Sequence, residues 1–207
     1  MGRCGARRTD ENVLRRLGLF RVAGVDEVGR GCLAGPVMAA AVVLDPDRHI
    51  PGLADSKLLP AEMRESLYDQ ITGRAIAWAC ASVEPAEVDA LNIHRASLRA
   101  MREAVCGLTP WPDAVLVDAF LIPDLPFAQR AIVKGDRRSA AIAAASIVAK
   151  VTRDRRMVEL HLLDPRFGFD RHKGYATAEH LAAVALHGYS AIHRRTFRPP
   201  SLFDTID

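Results

Sequence analysis

The sequence predicts an α/β domain built around a mixed β-sheet, and three of its features indicate this class. Of its 207 residues, 49% are hydrophobic, which is typical of a chain with a buried core. Short Val- and Ala-rich segments come first and then mix with segments of helical periodicity, as in proteins whose helices pack on a sheet. No linker rich in Gly, Ser or Pro divides the chain. We therefore expect a polar arm (1–20), one domain (21–198) and a tail (199–207).

Five short apolar segments, bounded by Gly, Pro or charged residues, are predicted to be strands. They are residues 21–28, 37–44, 75–83, 114–117 and 128–133. The glycine-rich connection 29–36 is expected to join the first two in a hairpin. The fourth is short and ends at Asp118.

Apolar residues at helical spacing predict the helices. They cover residues 61–71, 139–163 and 177–186, two further helices between 85 and 105 with a break near 91–92, and a short helix over 11–17. Pro60 stands at a favourable first helical position. Alanines dominate residues 140–149, which would allow this helix to pack closely on a sheet.

Composition excludes several classes of protein. The longest apolar run, 37–44, is far shorter than the ~20 residues of a membrane-spanning helix. The first 20 residues include Asp10 and Glu11 and lack the apolar core of a signal peptide, so we expect a soluble, cytoplasmic protein. The four cysteines form no C-x-x-C pair, which indicates reduced thiols. The net charge of +3 is only weak support for a polyanionic partner.

Acidic residues stand where three predicted strands end: Asp26 and Glu27, Asp118, and Asp136. Bare carboxylates in one site repel each other by ~4 kcal/mol per close pair at an effective dielectric constant of about 20. A divalent cation removes this repulsion, and a set of oxygen donors without His or Cys favours Mg²⁺ or Mn²⁺. Such sites serve phosphate chemistry. The alternative for Asp26 and Glu27 is a pair of acids in a hairpin turn.

Three other segments are suited to nucleotides. The Asp-Ser-Lys sequence ending at Lys57 places a hydroxyl and a cation before a helix, which suits a phosphate, although an ordinary helix cap with a solvated lysine explains it equally well. Tyr175 lies in a polar loop and is able to stack on a base or sugar, the simpler alternative being surface packing. The turn 29–31 lets the backbone approach a ligand. A strand-like segment follows this turn, which argues against a dinucleotide-binding loop.

Other polar residues receive structural interpretations. Ser146 and Lys150 are four residues apart, so they do not match the Ser-x-x-Lys nucleophile motif, and both are predicted to be structural. Asp154 stands between two arginines and is predicted to be ion-paired, with a reserve role as a metal ligand. No Ser-His-Asp or Cys-His arrangement stands out. Because the candidate metal site consists of carboxylates alone, we expect in-line attack by a metal-bound water, without a covalent enzyme intermediate.

Several motifs have the order and spacing of ribonuclease HII, which the chain resembles from about residue 20 to about residue 198. They are VAGVDEVGRG (22–31), DSK (55–57), VD (117–118), KGD (134–136), AAASIVAKVTRD (143–154), HKGY (172–175) and HRRTF (193–197). The resemblance implies an RNase H-like fold, a mixed five-stranded sheet flanked by helices with a small C-terminal helical region.

The resemblance also implies a ribonuclease H that removes ribonucleotides from DNA. Its substrates would be RNA:DNA hybrids and duplex DNA with single embedded ribonucleotides, cut on the 5′ side to leave 3′-hydroxyl and 5′-phosphate ends. The resemblance also implies a two-metal-ion mechanism with Mg²⁺ or Mn²⁺. It assigns metal binding and catalysis to Asp26, Glu27, Asp118 and Asp136.

Substrate-binding roles follow from the same resemblance. The turn Gly29, Arg30 and Gly31 would contact the ribose 2′-hydroxyl, Tyr175 would stack on the sugar of the following deoxynucleotide, and Ser56 and Lys57 would hold nearby phosphates.

The chain departs from the family pattern at two positions. Cys32 stands where the family often has proline, and Leu58 where a second lysine is usual. Losing that cation should weaken backbone binding slightly and flatten its salt dependence. Neither change touches a carboxylate, so activity should survive.

The sequence identifies no protein partner. The tail shows no recognisable clamp-binding peptide, and whether a clamp protein recruits the enzyme is left open. A monomer is the default. The rival classes are a two-metal nuclease of the same fold that cuts all-DNA substrates and a non-catalytic nucleic-acid-binding module.

Overall fold

A mixed five-stranded sheet forms the centre of the protein in a computed structural model that describes residues 6–197. Its strands are β1 (Val22–Val28), β2 (Val37–Val43), β3 (Ala77–Val83), β4 (Ala114–Asp118) and β5 (Ala128–Ile132). Their spatial order is β3-β2-β1-β4-β5. β2 pairs antiparallel with β1 and β3, whereas β1, β4 and β5 run parallel. The predicted strands, the hairpin and the mixed sheet are confirmed.

Seven helices surround the sheet within the described residues. They are α1 (Thr9–Arg16), α2 (Ala61–Arg74), α3 (Pro85–Leu91), α4 (Ile93–Cys106), α5 (Ala140–Leu163), α6 (Phe169–His172) and α7 (Ala178–His187). All except α6 were predicted, although Pro60 precedes the first residue of α2 as its N-cap. None of the helices in residues 6–197 is long and apolar enough to cross a membrane.

Helices cover the central strands from both sides. Every residue of β2 is therefore buried, whichever face of the sheet its side chain is on. One core lies between the sheet and α4, where Ala96, Ala100 and Ala104 pack against alternate strand residues. The other lies between the sheet and the alanine-rich half of α5. At Gly24 of β1 an added Cβ would lie 2.1 Å from the carbonyl carbon of Ala141, so α5 packs directly on the strand backbone, as its alanines predicted.

The N-terminal arm, which had no role from the sequence, contacts the start of α5. Glu11 of α1 is only 1% exposed. Its carboxylate accepts hydrogen bonds from the Ser139 hydroxyl (2.7 Å) and from the Ala141 N–H (2.8 Å). A carboxylate at this end of a helix is stabilising because the first N–H groups have no partner within the helix. The arm therefore stabilises the helix on which the sheet rests.

A small C-terminal lobe contains α6, α7 and a buried group of aromatic and imidazole rings. Phe167 and Phe169 stack with 5.4 Å between ring centroids. His172, His180 and His193 pack against them and are buried. This lobe agrees with the predicted C-terminal helical region.

The buried histidines should make the lobe sensitive to acid. Burial, followed by the charges of His180, Arg195 and His172, lowers the pKa of His193 from 6.5 to about 4, although Asp164 acts in the opposite direction. At a pH between these two pKa values, His193 is protonated in the unfolded chain and neutral in the folded chain. The free energy of unfolding should therefore fall as the pH drops from 6.5 towards 4.

Urea unfolding at a series of pH values measures this dependence. Other groups titrate in the same range, so the comparison is with His193→Gln, which lacks the titrating ring and should show a shallower decline. Equal slopes for the two proteins would contradict the assignment to His193.

Candidate active site

Sheet topology brings the carboxylates of β1 and β4 together. These strands are parallel neighbours, and Val25 is paired with Val117. The following residues, Asp26 and Asp118, therefore stand side by side where the strands approach their carboxyl ends. Asp136 reaches the same end from the short 3₁₀ turn Gly135–Arg137 that follows β5. The Gly135 N–H donates a hydrogen bond to Asp118 Oδ1 (2.7 Å) and ties the two segments together.

Repulsion and burial raise the pKa of three of these carboxyls. Burial, followed by the charges of Glu27 and Asp118, raises the pKa of Asp26 well above its ordinary value. Burial also raises the pKa of Glu27, against the opposing effect of Arg30. The pKa of Asp136 is raised by burial and then by the neighbouring Asp55 and Asp118. The site is therefore short of positive charge.

Protein donors hold the carboxylates in place. Asp26 Oδ1 accepts a hydrogen bond from the Glu27 N–H (2.8 Å), and the neighbouring Ser146 hydroxyl lowers the pKa of Asp26 against the effect of burial. Glu27 pairs with Arg30 at 3.2 Å. Within residues 6–197, no group of three or more Asp, Glu, His or Cys side chains is placed to hold a metal ion. The oxygen-only donor set and the repulsion among its carboxylates nevertheless fit a hard divalent cation, and the ligand assignment stays a prediction.

A cavity of about 220 Å³ next to the carboxylates collects most of the predicted substrate-binding residues. Its lining consists of Glu27, Val28, Gly29, Arg30, Gly31, Lys57 and Tyr175. One wall of the cavity is thus the glycine turn, and another is the ring of Tyr175. The carboxylate of Glu27 and the cations of Arg30 and Lys57 complete the lining. A cavity of this composition is able to receive a sugar and its phosphates.

Two cations and a thiol surround the Tyr175 ring, which is 38% exposed. Lys150 Nζ lies 5.6 Å from the ring centroid, and the Arg153 guanidinium lies 5.9 Å from it. Burial raises the pKa of the Tyr175 hydroxyl, and the neighbouring Cys32 thiol raises it further. The residue that departs from the family pattern therefore lies next to the aromatic side chain of the cavity.

Ser56 lies in the interior, away from the cavity. It is 3% exposed, and its hydroxyl lies 2.9 Å from Ser146 Oγ. A phosphate contact by Ser56 stays a prediction, and in this conformation its side chain faces Ser146. Lys57, by contrast, lines the cavity, and its phosphate contact also stays a prediction. Asp154 pairs with Lys150 at 2.7 Å, as predicted for an ion-paired helix residue.

Sequence reasoning missed two polar neighbours of the carboxylates. Ser146, predicted to be structural, lowers the pKa of the neighbouring Asp26. It is the one polar residue in the alanine-rich half of α5, and this could have indicated a place beside the carboxylates. Asp55 is buried, pairs with Arg137 at 3.1 Å and adds to the negative charge around Asp136. No sequence pattern predicts the ion pair between Asp55 and Arg137, because the two residues are far apart in the chain.

Comparison with known proteins agrees with this fold. The family model of ribonuclease HII matches residues 23–199. The ribonuclease H2 of Pyrococcus horikoshii OT3 shares 26% identity with a TM-score of 0.69, over 86% of this chain and 94% of that one. The RNase HII of Archaeoglobus fulgidus, solved in a complex with PCNA, shares 28% identity with a TM-score of 0.73, over 86% and 96%. Bst-RNase HIII in complex with Mn²⁺ shares 21% identity with a TM-score of 0.57, over 81% and 63%, a likeness of fold alone.

Proposed function

The chain belongs to the ribonuclease HII family of metal-dependent endonucleases, which hydrolyse the RNA strand of RNA:DNA hybrids, and we propose that it also cuts at single ribonucleotides in duplex DNA. The cut lies on the 5′ side of the ribonucleotide and leaves 3′-hydroxyl and 5′-phosphate ends. The cellular role that follows is ribonucleotide removal from DNA in the cytoplasm.

The observation that carries this proposal is the cavity shared by the turn 29–31, Lys57 and Tyr175 beside Glu27. The 2′-hydroxyl is the group that separates RNA from DNA at a given nucleotide. A glycine turn brings backbone groups close enough to contact it, and an aromatic ring in the same cavity offers a surface for the adjoining sugar. One cavity thus has the parts needed to recognise a single RNA–DNA junction.

The four carboxylates Asp26, Glu27, Asp118 and Asp136 would hold two Mg²⁺ or Mn²⁺ ions. When bound, such ions supply an activated water and stabilise the leaving oxygen. The Gly135 N–H orients Asp118, and Ser146 favours the ionised form of Asp26. Arg30 and Lys57 place positive charge around the scissile phosphate. Bst-RNase HIII, of the same fold, has been solved with Mn²⁺.

Protein partners stay open. The relative from Archaeoglobus fulgidus was solved in a complex with PCNA. In the present chain the tail that showed no clamp-binding peptide lies outside the described residues. A monomer is proposed as the working state.

Cleavage of a DNA duplex with one ribonucleotide tests the proposal. An all-DNA duplex and a long RNA:DNA hybrid serve as controls, each in Mg²⁺, Mn²⁺ and EDTA. We expect one metal-dependent cut 5′ of the ribonucleotide, cleavage of the hybrid and no cleavage of all-DNA duplex. Cutting of the hybrid without cutting at the single ribonucleotide would contradict junction recognition. Cutting of all-DNA duplex would favour a DNA nuclease, and binding without cleavage would favour a non-catalytic module.

A further inference from the structure

Two buried histidines stand directly behind the loop that carries Tyr175. His180 is fully buried and His193 is 2% exposed. Their Nε2 atoms lie 2.9 Å apart, a hydrogen-bond distance. A direct bond between two imidazoles requires that one ring donates and the other accepts, so at most one ring is charged. Burial lowers the pKa of both rings, which favours two neutral rings in complementary tautomers.

Backbone contacts fix the direction of this bond. The Ser190 N–H donates to His193 Nδ1 at 2.9 Å, so that nitrogen is an acceptor and the ring proton of His193 is on Nε2. His193 Nε2–H therefore donates to His180 Nε2. The proton of His180 must then be on Nδ1, which lies 2.9 Å from the carbonyl oxygen of Tyr175. The chain of hydrogen bonds begins at Ser190 and ends on the backbone of Tyr175.

The loop is fixed at its other end by a third histidine. The Gly174 N–H donates to His172 Nδ1 (3.2 Å), and His172 Nε2 contacts the carbonyl oxygen of Phe167 (2.7 Å). His172 also stacks on His180 with 4.3 Å between ring centroids. The Gly174 carbonyl accepts from the Leu33 N–H (2.9 Å), close to the glycine turn of the cavity. A shift of this loop would therefore move Tyr175 relative to the turn.

We propose that His180 and His193 are positioning residues that hold Tyr175 in the orientation needed to recognise the RNA–DNA junction. This inference rests on the proposed function of Tyr175. The opposing interpretation is that the two rings only fill the interior of the lobe. Filling requires no particular tautomer, whereas positioning requires a donor at the Nδ1 site of His180 and a donor at the Nε2 site of His193.

Matched substitutions at residue 180 separate the two interpretations. The side-chain nitrogen of asparagine falls near the Nδ1 position of histidine, so His180→Asn keeps a donor towards the Tyr175 carbonyl. The polar end of glutamine falls near the Nε2 position, so His180→Gln keeps a partner for His193 but not for Tyr175. We expect His180→Gln to lower kcat/KM on the single-ribonucleotide duplex by about tenfold, and His180→Asn to lower it much less.

At residue 193 we expect the opposite order of kcat/KM, with the glutamine variant more active than the asparagine variant. His193→Gln keeps a donor near Nε2 and therefore preserves the bond to His180, whereas His193→Asn keeps only the acceptor for Ser190. We expect His193→Asn to be the weaker enzyme on the same substrate. This second pair also decides the question if the variants of residue 180 do not fold, which circular dichroism and thermal unfolding would show.

Tyr175→Ala shows whether the histidines act through the tyrosine. In that background the substitutions at residue 180 should have no further effect on junction cleavage. If Tyr175→Ala itself leaves junction cleavage unchanged, the proposed function of Tyr175 fails. If Tyr175→Ala loses junction cleavage but Asn and Gln at residue 180 are equal, or rank by thermal stability, the positioning role is overturned and the proposed function stands.

Discussion

Asp136→Asn is expected to lower Mg²⁺-dependent hybrid cleavage by about 10³-fold, which corresponds to about 4 kcal/mol of transition-state stabilisation. Asparagine keeps the shape of the side chain and removes its negative charge, so it is a much poorer ligand for a hard cation. Single-turnover cleavage rates measure the loss. Hybrid binding, measured by fluorescence anisotropy, should remain, because the turn 29–31, Lys57 and Tyr175 are unchanged.

Thermal unfolding separates a lost ligand from a lost fold in this variant. Burial and the neighbouring Asp55 and Asp118 raise the pKa of Asp136, so the ionised side chain is in an unfavourable environment without metal. A neutral side chain removes that repulsion, and the unfolding temperature without metal should be equal or higher. Lower stability together with lower activity would point to misfolding as the cause.

Asp154→Asn is the matched control, because it makes the same chemical change at a carboxylate that is paired with Lys150. We expect it to keep most of the activity. If Asp136→Asn retained near-normal turnover in Mg²⁺ and Asp154→Asn lost it, the fourth metal ligand would be Asp154.

The sheet could be predicted from the sequence because its signals are local. Most strands are short, largely apolar runs with a Gly, Pro or charged boundary, β5 with its Gln129 and Arg130 being the exception. Each predicted segment agrees with the observed strand to within two residues. The break between α3 and α4 was also visible. It falls at Asn92, whose φ of 67° is positive, and positive φ values are more frequent for asparagine than for most residues.

The surroundings of the site could not be predicted, because they depend on contacts between distant residues. Glu11 bonds to Ser139, which is 128 residues away, and Ser56 meets Ser146 across 90 residues. The group of histidines behind Tyr175 includes His172 of α6, a four-residue helix too short to give a periodic pattern. The sequence placed carboxylates at strand ends, and only the fold shows which polar groups support them.

Gly24→Ala should destabilise the protein by more than about 3 kcal/mol, the upper end of the range for overpacked cores. The added methyl would lie 2.1 Å from the carbonyl carbon and 2.4 Å from the carbonyl oxygen of Ala141, and 2.2 Å from the backbone nitrogen of Ile142. These are backbone atoms, so no side-chain rotation relieves the clash, and α5 must move away from β1. Urea unfolding gives the free-energy difference.

Gly73→Ala is the control for this substitution, since Gly73 lies in α2 and, apart from its chain neighbours and the nearby backbone of its own helix, no atom lies within 4 Å of the position that an added methyl would take. There alanine should stabilise by about 0.5–1 kcal/mol, because it favours the helical conformation. The opposite signs of two identical substitutions would show that the cost at Gly24 comes from the contact with α5. Because Asp26 and Ser146 stand on these two elements, the folded fraction of Gly24→Ala should also cleave more slowly. A free energy of unfolding within 1 kcal/mol of the wild-type value would contradict so close a contact between β1 and α5.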